Sequence, residues 1–184
     1  MTPSDTVEDH VVLLADDGTP VGTAPRADVH THDTPLHLAF SCWLHRADGA
    51  VLVTRRALSK RTFPGVWTNS FCGHPRVGES LEHAVRRHGI HELGLEVERI
   101  TPAVPDFRYR ALDASGILEN EICPVFDAWT QHEPAPHPGE VMDMRWVSVD
   151  RLHRAIDETP WAFSPWLVEQ SHARRGILLT GSRS

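Results

Sequence analysis

The chain has 184 residues, 40% of them hydrophobic, and its 18 Lys and Arg against 25 Asp and Glu give a formal net charge of −7. This length predicts a single domain over 1–184. The negative charge argues against nucleic acid or an anionic membrane as a partner. The three cysteines are widely spaced and imply no disulfide framework. No apolar run approaches the ~20 residues of a membrane span and the start lacks a signal-peptide pattern, so we expect a cytoplasmic protein. We also expect a monomer, with short flexible ends at 1–6 and 180–184.

The first half of the chain contains two turn signals that predict β-hairpins. Asp17-Gly18 and Asp48-Gly49 each separate two mainly apolar segments, which is typical of two paired strands. Pro64-Gly65 interrupts the next segment and predicts a loop. In chain order, we expect paired strands at 11–15 and 19–23, paired strands at 38–46 and 50–56, a loop at 57–67, and a short strand or extended turn at 69–74.

The second half alternates between strand and helix patterns. Residues 79–93 have apolar side chains at helical spacing with Gly94 as a C-cap, although Gly89 inside the helix costs about 1 kcal/mol. Ser164 and Pro165 suit the N-cap and first position of the last helix. The other expected elements are strands at 95–100, 107–112 and 117–129, a loop at 131–140, a strand at 144–149, and helices at 150–157 and 165–179. This order predicts an α+β domain in which helices flank a mixed β-sheet.

Two pairs of residues spaced by two positions are candidates for chemistry. On a strand, this spacing places Glu119 and Glu121 on one face, and it does the same for Cys72 and His74. Two carboxylates this close repel each other unless a cation or a shared proton lies between them, and the mostly apolar residues that follow make bare carboxylates costly. The alternatives are a solvated strand face and a buried cysteine beside a surface histidine.

Histidines in the first half of the chain suggest a metal site. His30 and His37 flank a segment that Pro35 directs into an extended loop, and His32 is close enough in sequence to replace His30. Together with His74 and the two carboxylates, they form a donor set that suits Zn²⁺, Mn²⁺ or Fe²⁺ better than Ca²⁺. Spacing alone does not show that these groups converge, and surface histidines are the simpler alternative.

A loop–helix–loop pattern starts at Gly73. The residues that keep the positions of G-x5-E-x7-R-E-U-x-E-E-x-G-U are Gly73, Glu79, Arg87, Glu92, Gly94 and Leu95. The segment resembles the Nudix box, in which carboxylates hold Mg²⁺ against a diphosphate. His88 and His91 stand where the box has Glu, which argues against hydrolysis but leaves binding of a Mg²⁺-diphosphate through Glu92 open. A plain amphipathic helix is the alternative.

Longer runs carry a more specific resemblance over nearly the whole chain, from about residue 7 to 172. The runs are 36–41, 54–60, 64–70, 72–75, 106–110, 119–121 and 161–166. They are similar to the type I isopentenyl-diphosphate isomerase family. This resemblance implies a Nudix-like α/β/α fold and an isomerase of isoprenoid precursor synthesis that interconverts isopentenyl and dimethylallyl diphosphates.

The resemblance also implies roles for residues of the candidate metal site. The implied ligands of a Mn²⁺, Zn²⁺ or Mg²⁺ ion are His30, His37, His74, Glu119 and Glu121. His30 is therefore expected as the ligand instead of His32. The implied catalytic residues are Cys72 and Glu121 as the proton-transferring pair, with Tyr109 and Trp166 as aromatic residues beside the hydrocarbon.

Basic residues mark the expected diphosphate end. The densest basic patch of this acidic chain consists of Arg55, Arg56, Lys60 and Arg61, and a solvated loop is its simpler interpretation. The resemblance implies diphosphate contacts from Arg26, Arg56 and Lys60, and a substrate-associated Mg²⁺ bound by Glu92. His88 stands where relatives can have Arg, so no diphosphate role is assigned to it.

Two other functions remain as alternatives to an isomerase. One is a Nudix-type diphosphate hydrolase, against which His88 and His91 argue because they replace carboxylates of the box. The other is a metal-stabilised module that only binds a diphosphate. Such a module needs no acid–base pair, so Cys72 and Glu121 argue against it.

Overall fold

The computed structural model describes residues 10–181, with side chains up to residue 176. Of the expected flexible ends, 1–6 and 182–184 lie outside the described residues. The strands are β1 (His10–Leu14), β2 (Pro20–Pro25), β3 (His37–Leu38), β4 (Phe40–His45), β5 (Ala50–Arg56), β6 (Trp67–Thr68), β7 (Phe71–Gly73), β8 (Glu98–Val104), β9 (Arg108–Leu112), β10 (Leu118–Ile122), β11 (Val125–Trp129) and β12 (Val141–Ser148). The helices are α1 (Arg26–Val29), α2 (Leu81–Leu93), α3 (Val149–Glu158) and α4 (Pro165–Gly181), with a 3-10 turn at Pro160–Ala162.

The strands form two mixed sheets. Sheet one has the order β2-β1-β3-β10-β9, and sheet two has the order β12-β5-β4-β11-β8 with β6 beside β5 and β7 beside β4. In each sheet one central pair is parallel, β3 with β10 and β4 with β11, while the remaining pairs are antiparallel. The expected α+β class is confirmed, with the strands divided between two sheets.

The chain passes from sheet one to sheet two at two adjacent places. Ala39 separates β3 from β4, and Cys123 and Pro124 separate β10 from β11. The expectation of one continuous strand over 117–129 is therefore wrong, because Pro124 has no N–H to donate to a ladder. The two crossings are joined by a hydrogen bond from the Ala39 N–H to the Ile122 carbonyl at 3.0 Å. This paired crossing brings residues of both sheets together.

Both expected hairpins form around their Asp-Gly turns. The Asp17 carboxylate accepts a hydrogen bond from the Thr19 N–H at 2.9 Å, and Asp48 does the same for the Ala50 N–H at 3.0 Å. An aspartate that binds the backbone two residues later mimics a turn of the main chain, which is why this residue suits such positions.

The main helices begin and end close to the expected residues. Ser80 caps α2 by accepting a bond from the His83 N–H at 3.2 Å, and Gly94 ends it with φ of 65°. Gly89 lies where α2 packs closely, because a Cβ there would be 3.0 Å from Val97 Cγ1 and 3.3 Å from the Leu95 carbonyl oxygen. Ser164 caps α4 through the Leu167 N–H at 3.3 Å. Among the described residues, no helix is both long and apolar enough to cross a membrane.

Some boundaries differ from the expected ones. The strand expected at 95–100 begins only at Glu98, because the Leu95 N–H still donates to the Gly89 carbonyl at the end of α2. The strand expected at 144–149 begins earlier, at Val141. The short elements α1, β3 and β6 were not expected, since two to four residues do not establish a periodic pattern.

Strand β4 lies between the two halves of the hydrophobic core. Phe40 and Leu44 pack with residues of α2, whereas Trp43, which alternates with them, packs with residues of α3 and α4. Ser41 shares the Trp43 face by the two-residue period and is directly opposite Cys72 of β7. A polar serine is thus placed in a fully buried position beside a candidate catalytic residue.

Candidate active site

A cleft of about 610 Å³ receives side chains from both sheets, from α1 and α2, and from the loop after β5. It is lined by nearly all residues that the resemblance implies, namely Arg26, His30, Arg56, Lys60, Cys72, His74, Glu92, Tyr109, Glu119, Glu121 and Trp166. His37 is the exception, because its ring is fully buried. The fold therefore gathers these residues around one space, although they come from positions 26 to 166 of the sequence.

Four of the candidate metal ligands converge in this cleft. His30, His37, His74 and Glu121 each offer a ligand atom, and these atoms lie within 4.8 Å of one another. The Nε2 of His74 is 3.2 Å from that of His37 and 3.2 Å from Glu121 Oε1. The parallel pairing of β3 and β10 places His37 beside Glu121, while His74 follows β7 of the other sheet.

The fifth candidate ligand, Glu119, lies next to this group but is not one of the four. Its Oε2 is 3.1 Å from His30 Nε2, and neither buried atom has a hydrogen-bond partner. Two unpartnered polar atoms that face each other inside a protein are costly, and a bound cation would satisfy both. His32 lies elsewhere, with its exposed ring 2.6 Å from the Gly116 carbonyl.

The surroundings of His74 and Glu121 favour a neutral ring on the first and an ionised carboxylate on the second. Burial lowers the pKa of His74 to about 4, so its ring is neutral near pH 7. Burial opposes ionisation of Glu121, but hydrogen bonds with His37 and His74 hold the pKa of this carboxyl well below its usual range. His37 contacts the Pro35 carbonyl through Nδ1 at 2.9 Å, which turns Nε2 toward the group. Burial opposes protonation of His37, but the contact with Glu121 raises its pKa. Imidazole nitrogens and a carboxylate are ligands that suit a divalent cation.

Cys72 lies at the cleft wall with its sulfur in contact with two polar side chains. Its Sγ is 3.2 Å from Ser41 Oγ and 3.2 Å from Asn69 Nδ2. Burial is the main reason that the pKa of the thiol rises to about 12, and the nearby Glu121 charge adds to the rise, while bonds with Ser41 and Asn69 oppose it. The group is therefore a thiol near pH 7 and carries a proton that it could donate.

Aromatic rings form the apolar part of the same cleft. The rings of Tyr109 and Trp166 are 5.5 Å apart, and Phe63 packs edge-on against Trp166 at 5.1 Å. Trp166 is held in place by a bond from its Nε1–H to Asn69 Oδ1 at 2.9 Å. Tyr109 is paired directly opposite Glu121 in sheet one, so both side chains are on one face.

The basic residues divide between the cleft and its supporting loop. Lys60 and Arg61 line the cleft, and Lys60 forms an ion pair with Glu140. Arg56 lines it too, but its guanidinium also donates to the Thr62 carbonyl at 2.9 and 3.2 Å, which ties down the loop. Arg55 is not among the lining residues and donates to the Gly65 carbonyl instead.

Helix α2 contributes the acidic residue expected beside the diphosphate. Glu92 accepts a hydrogen bond from His88 Nδ1 at 2.9 Å if that nitrogen carries the proton. The His88 ring packs closely on Gly73, because a Cβ on residue 73 would lie 2.4 Å from that ring. His91, the other departure from the box, lies 3.4 Å from Glu140. His88 and His91 thus occupy positions where the Nudix box has glutamates, and in this chain each of them contacts the carboxylate of another residue.

Sequence reasoning did not single out Glu140, Asn69 or Ser41 as site residues. Each of them contacts a residue that was expected, namely Lys60 or Cys72. Ser41 is a polar residue within the mostly apolar strand β4, and this was the available signal. Asn69 lies between β6 and β7 beside Thr68 and Ser70, where a polar residue is not unusual. Glu140, the partner of Lys60, gave no such signal, because it lies 80 residues away in the sequence, in a segment that predicts a loop.

A family profile and individual relatives were compared with the sequence of this chain, and both match most of it. The profile of the NUDIX domain family matches residues 35–167. A protein from Agromyces mediolanus named isopentenyl-diphosphate Delta-isomerase is 60% identical over 161 residues, which is 88% of this chain and 78% of that protein. One of the same name from Escherichia coli is 56% identical over 163 residues, covering 89% of this chain and 90% of that protein.

Solved structures agree at the level of the fold. A Deinococcus radiodurans protein superposes with a TM-score of 0.70 and 20% identity over 89% of this chain and 98% of its own. A MutT protein from Methanosarcina mazei superposes with a TM-score of 0.61 and 18% identity over 78% of this chain and 95% of its own. At such identities the likeness concerns architecture alone, since one fold hosts many functions.

Proposed function

The chain belongs to the isopentenyl-diphosphate Delta-isomerase family within the NUDIX fold, and from this membership we propose how it interconverts isopentenyl and dimethylallyl diphosphates. The observation that carries the proposal is relatives of that name at 53 to 60% identity over most of both chains. The cleft adds a second line of support, because it joins a thiol, a cation-binding group and basic residues.

The reaction needs one group that gives a proton and another that takes one. Protonating the terminal alkene carbon produces a tertiary carbocation, and loss of a proton from the carbon on its other side gives the isomer. General acid and base groups typically contribute 10²–10⁴-fold each. In our proposal Cys72 of sheet two and Glu121 of sheet one are these groups. Their surroundings hold a proton on the thiol and remove it from the carboxyl.

A divalent ion fits the His/Glu group. His30, His37, His74 and Glu121 would hold it, with Glu119 adjacent, and the unpartnered His30 Nε2 and Glu119 Oε2 support this assignment. When bound, Mn²⁺, Zn²⁺ or Mg²⁺ supplies positive charge that favours ionised carboxylates at the site. Glu121 has a second carboxylate oxygen, which can accept or return a proton at the substrate.

The aromatic residues stabilise positive charge and exclude water. Trp166 and Tyr109 lie at the cleft with little exposure, and the hydrogen bond to Asn69 fixes the indole ring. Attraction between a cation and an aromatic face reaches about 2 kcal/mol when the pair is desolvated. A dry pocket also protects a carbocation from addition of water.

The diphosphate occupies the basic end of the cleft in this proposal. Arg26, Arg56 and Lys60 contact its oxygens, and Glu92 contacts the Mg²⁺ that accompanies it. The protein acts as a cytoplasmic monomer on this small molecule, without a nucleic-acid or membrane partner, which agrees with the net charge of −7.

Replacing Lys60 with Ala should raise KM for the diphosphate with a smaller change in kcat. Loss of a charged hydrogen bond of about 1.5 to 3 kcal/mol corresponds to roughly 10- to 100-fold. The Glu140 carboxylate, left without its partner, would add repulsion of the diphosphate. Steady-state kinetics and thermal melting measure the two effects. Arg86→Ala is the control, because Arg86 does not line the cleft and its contacts are with Glu82 and the Val97 carbonyl.

A Lys60→Ala variant that binds substrate normally but melts much earlier would assign Lys60 to the structure of the loop. Arg56→Ala is less decisive, because Arg56 also binds the Thr62 carbonyl and its loss should loosen the loop.

Incubation of the protein with isopentenyl diphosphate and Mg²⁺ tests the proposed function. An isomerase forms dimethylallyl diphosphate and releases no phosphate. Release of phosphate would indicate the hydrolase expected of a complete Nudix box, and binding without either product would indicate a binding module.

A further inference from the structure

The sulfur of Cys72 lies at the end of a buried chain of hydrogen bonds. The Trp43 Nε1–H donates to Gln170 Oε1 at 2.9 Å, and Gln170 Nε2 donates to Ser41 Oγ at 2.8 Å. Ser41 Oγ in turn is 3.2 Å from Cys72 Sγ. Trp43, Gln170 and Ser41 are fully buried, where polar groups are costly unless they are paired.

The direction of this chain follows from its first member. An indole N–H can only donate, so Gln170 must present its oxygen to Trp43 and its NH₂ to Ser41. Ser41 therefore accepts from Gln170 and keeps its own hydrogen for another acceptor. The two sulfur atoms within reach are Cys72 Sγ at 3.2 Å and Cys123 Sγ at 3.4 Å, and the shorter contact is to Cys72.

Asn69 approaches the same sulfur with a fixed orientation. Its Oδ1 accepts from the Trp166 Nε1–H and from the Thr68 hydroxyl, each at 2.9 Å. Its Nδ2 donates to the Cys42 and Phe71 carbonyls at 3.1 and 2.9 Å, which uses both hydrogens of the NH₂ group. The amide is thus fixed beside Cys72, whose Sγ lies 3.2 Å from Nδ2 and 3.3 Å from Oδ1.

Both contacts have the same consequence for Cys72. The Ser41 hydroxyl, oriented by Gln170, and the fixed Asn69 amide hold Sγ at the wall of the cleft that Cys72 lines. We propose that Ser41 and Gln170 are positioning residues, which hold the sulfur of Cys72 in place for proton transfer to the substrate. The proposal rests on the proposed role of Cys72 as a proton-transferring group.

The test is the kinetics of Ser41→Ala beside those of Ser41→Thr, which restores a hydroxyl. We expect kcat of Ser41→Ala to fall roughly 10- to 100-fold with KM and metal content unchanged, and Ser41→Thr to recover a large part of the loss. Gln170→Met removes the donor to Ser41 at nearly the same volume, and it should lower kcat in the same direction.

Ser70→Ala provides the matched control for the loss of a buried hydroxyl. Ser70 is also fully buried and its Oγ makes two bonds of 2.7 Å to the backbone, at Leu44 and Leu52. This variant should be less stable to heat but keep its kcat. Equal losses of kcat in Ser41→Ala and Ser70→Ala would make the effect structural and overturn the proposal.

Cys72→Ala separates failure of this proposal from failure of the proposed function. If Cys72→Ala is inactive while folded Ser41→Ala and Gln170→Met turn over like the unmodified protein, the positioning role is wrong and the role of Cys72 stands. If Cys72→Ala itself keeps normal turnover, the assignment of Cys72 fails, and the positioning role fails with it.

Discussion

The His74→Ala variant should lose bound divalent metal and turnover together. His74 Nε2 lies 3.2 Å from both His37 Nε2 and Glu121 Oε1, so its removal opens the group from the side of sheet two. Loss of even an outer partner of a ligand lowers metal affinity 10- to 100-fold, and loss of a ligand should exceed roughly 100-fold. Metal content per chain and kcat, measured on one preparation, give the result.

His32→Ala is the matched control for this variant. His32 belongs to the same histidine-bearing segment as His30, but its exposed ring contacts the Gly116 carbonyl and not the group. It should keep both metal and activity. Full metal content in His74→Ala would remove His74 from the ligands, and full turnover without metal would show that the reaction does not need the ion.

The Cys72→Ala variant should bind metal and diphosphate yet barely isomerise. One proton-transferring group typically contributes 10²–10⁴-fold, so we expect kcat to fall by roughly 10³-fold or more with little change in KM. The candidate ligands His30, His37, His74 and Glu121 are left intact by this change. Steady-state kinetics, metal content and substrate binding by calorimetry measure the three quantities.

Cys42→Ala is the control for the loss of a thiol. Cys42 is fully buried in the core cluster that contains Phe40 and Phe71, and it is not among the residues that line the cleft. It should cost stability by leaving a small cavity, with turnover preserved. Near-normal kcat in Cys72→Ala would contradict a mechanism in which this thiol transfers a proton.

Local patterns predicted much of the fold, and the misses have physical causes. Asp17 and Asp48 define turns through bonds within two residues, so the sequence nearby is sufficient to locate both hairpins. The break at Pro124 was missed because apolar residues continue on both sides of it and hide the change of sheet. Elements of two to four residues, such as β3, depend on pairing partners distant in sequence.

The residues of the candidate site were predicted mainly from the resemblance to a family. Spacing suggested that Glu119 and Glu121 share a face, but only the parallel pairing of β3 with β10 brings His37 beside Glu121. Supporting contacts could not be predicted at all from local sequence. The bond from Trp43 to Gln170 spans 127 residues, and the ion pair of Lys60 with Glu140 spans 80. Tertiary packing alone determines such pairs.

Isomerisation of isopentenyl diphosphate in D₂O with Mg²⁺ tests the two-group mechanism most directly. In the proposed mechanism Cys72 and Glu121, which both line the cleft, exchange protons with solvent between turnovers, when no carbocation is bound. The account predicts dimethylallyl diphosphate with deuterium on carbon, and loss of most product in Cys72→Ala and Glu121→Gln. Product that carries no solvent deuterium, or phosphate in place of the isomer, would contradict it.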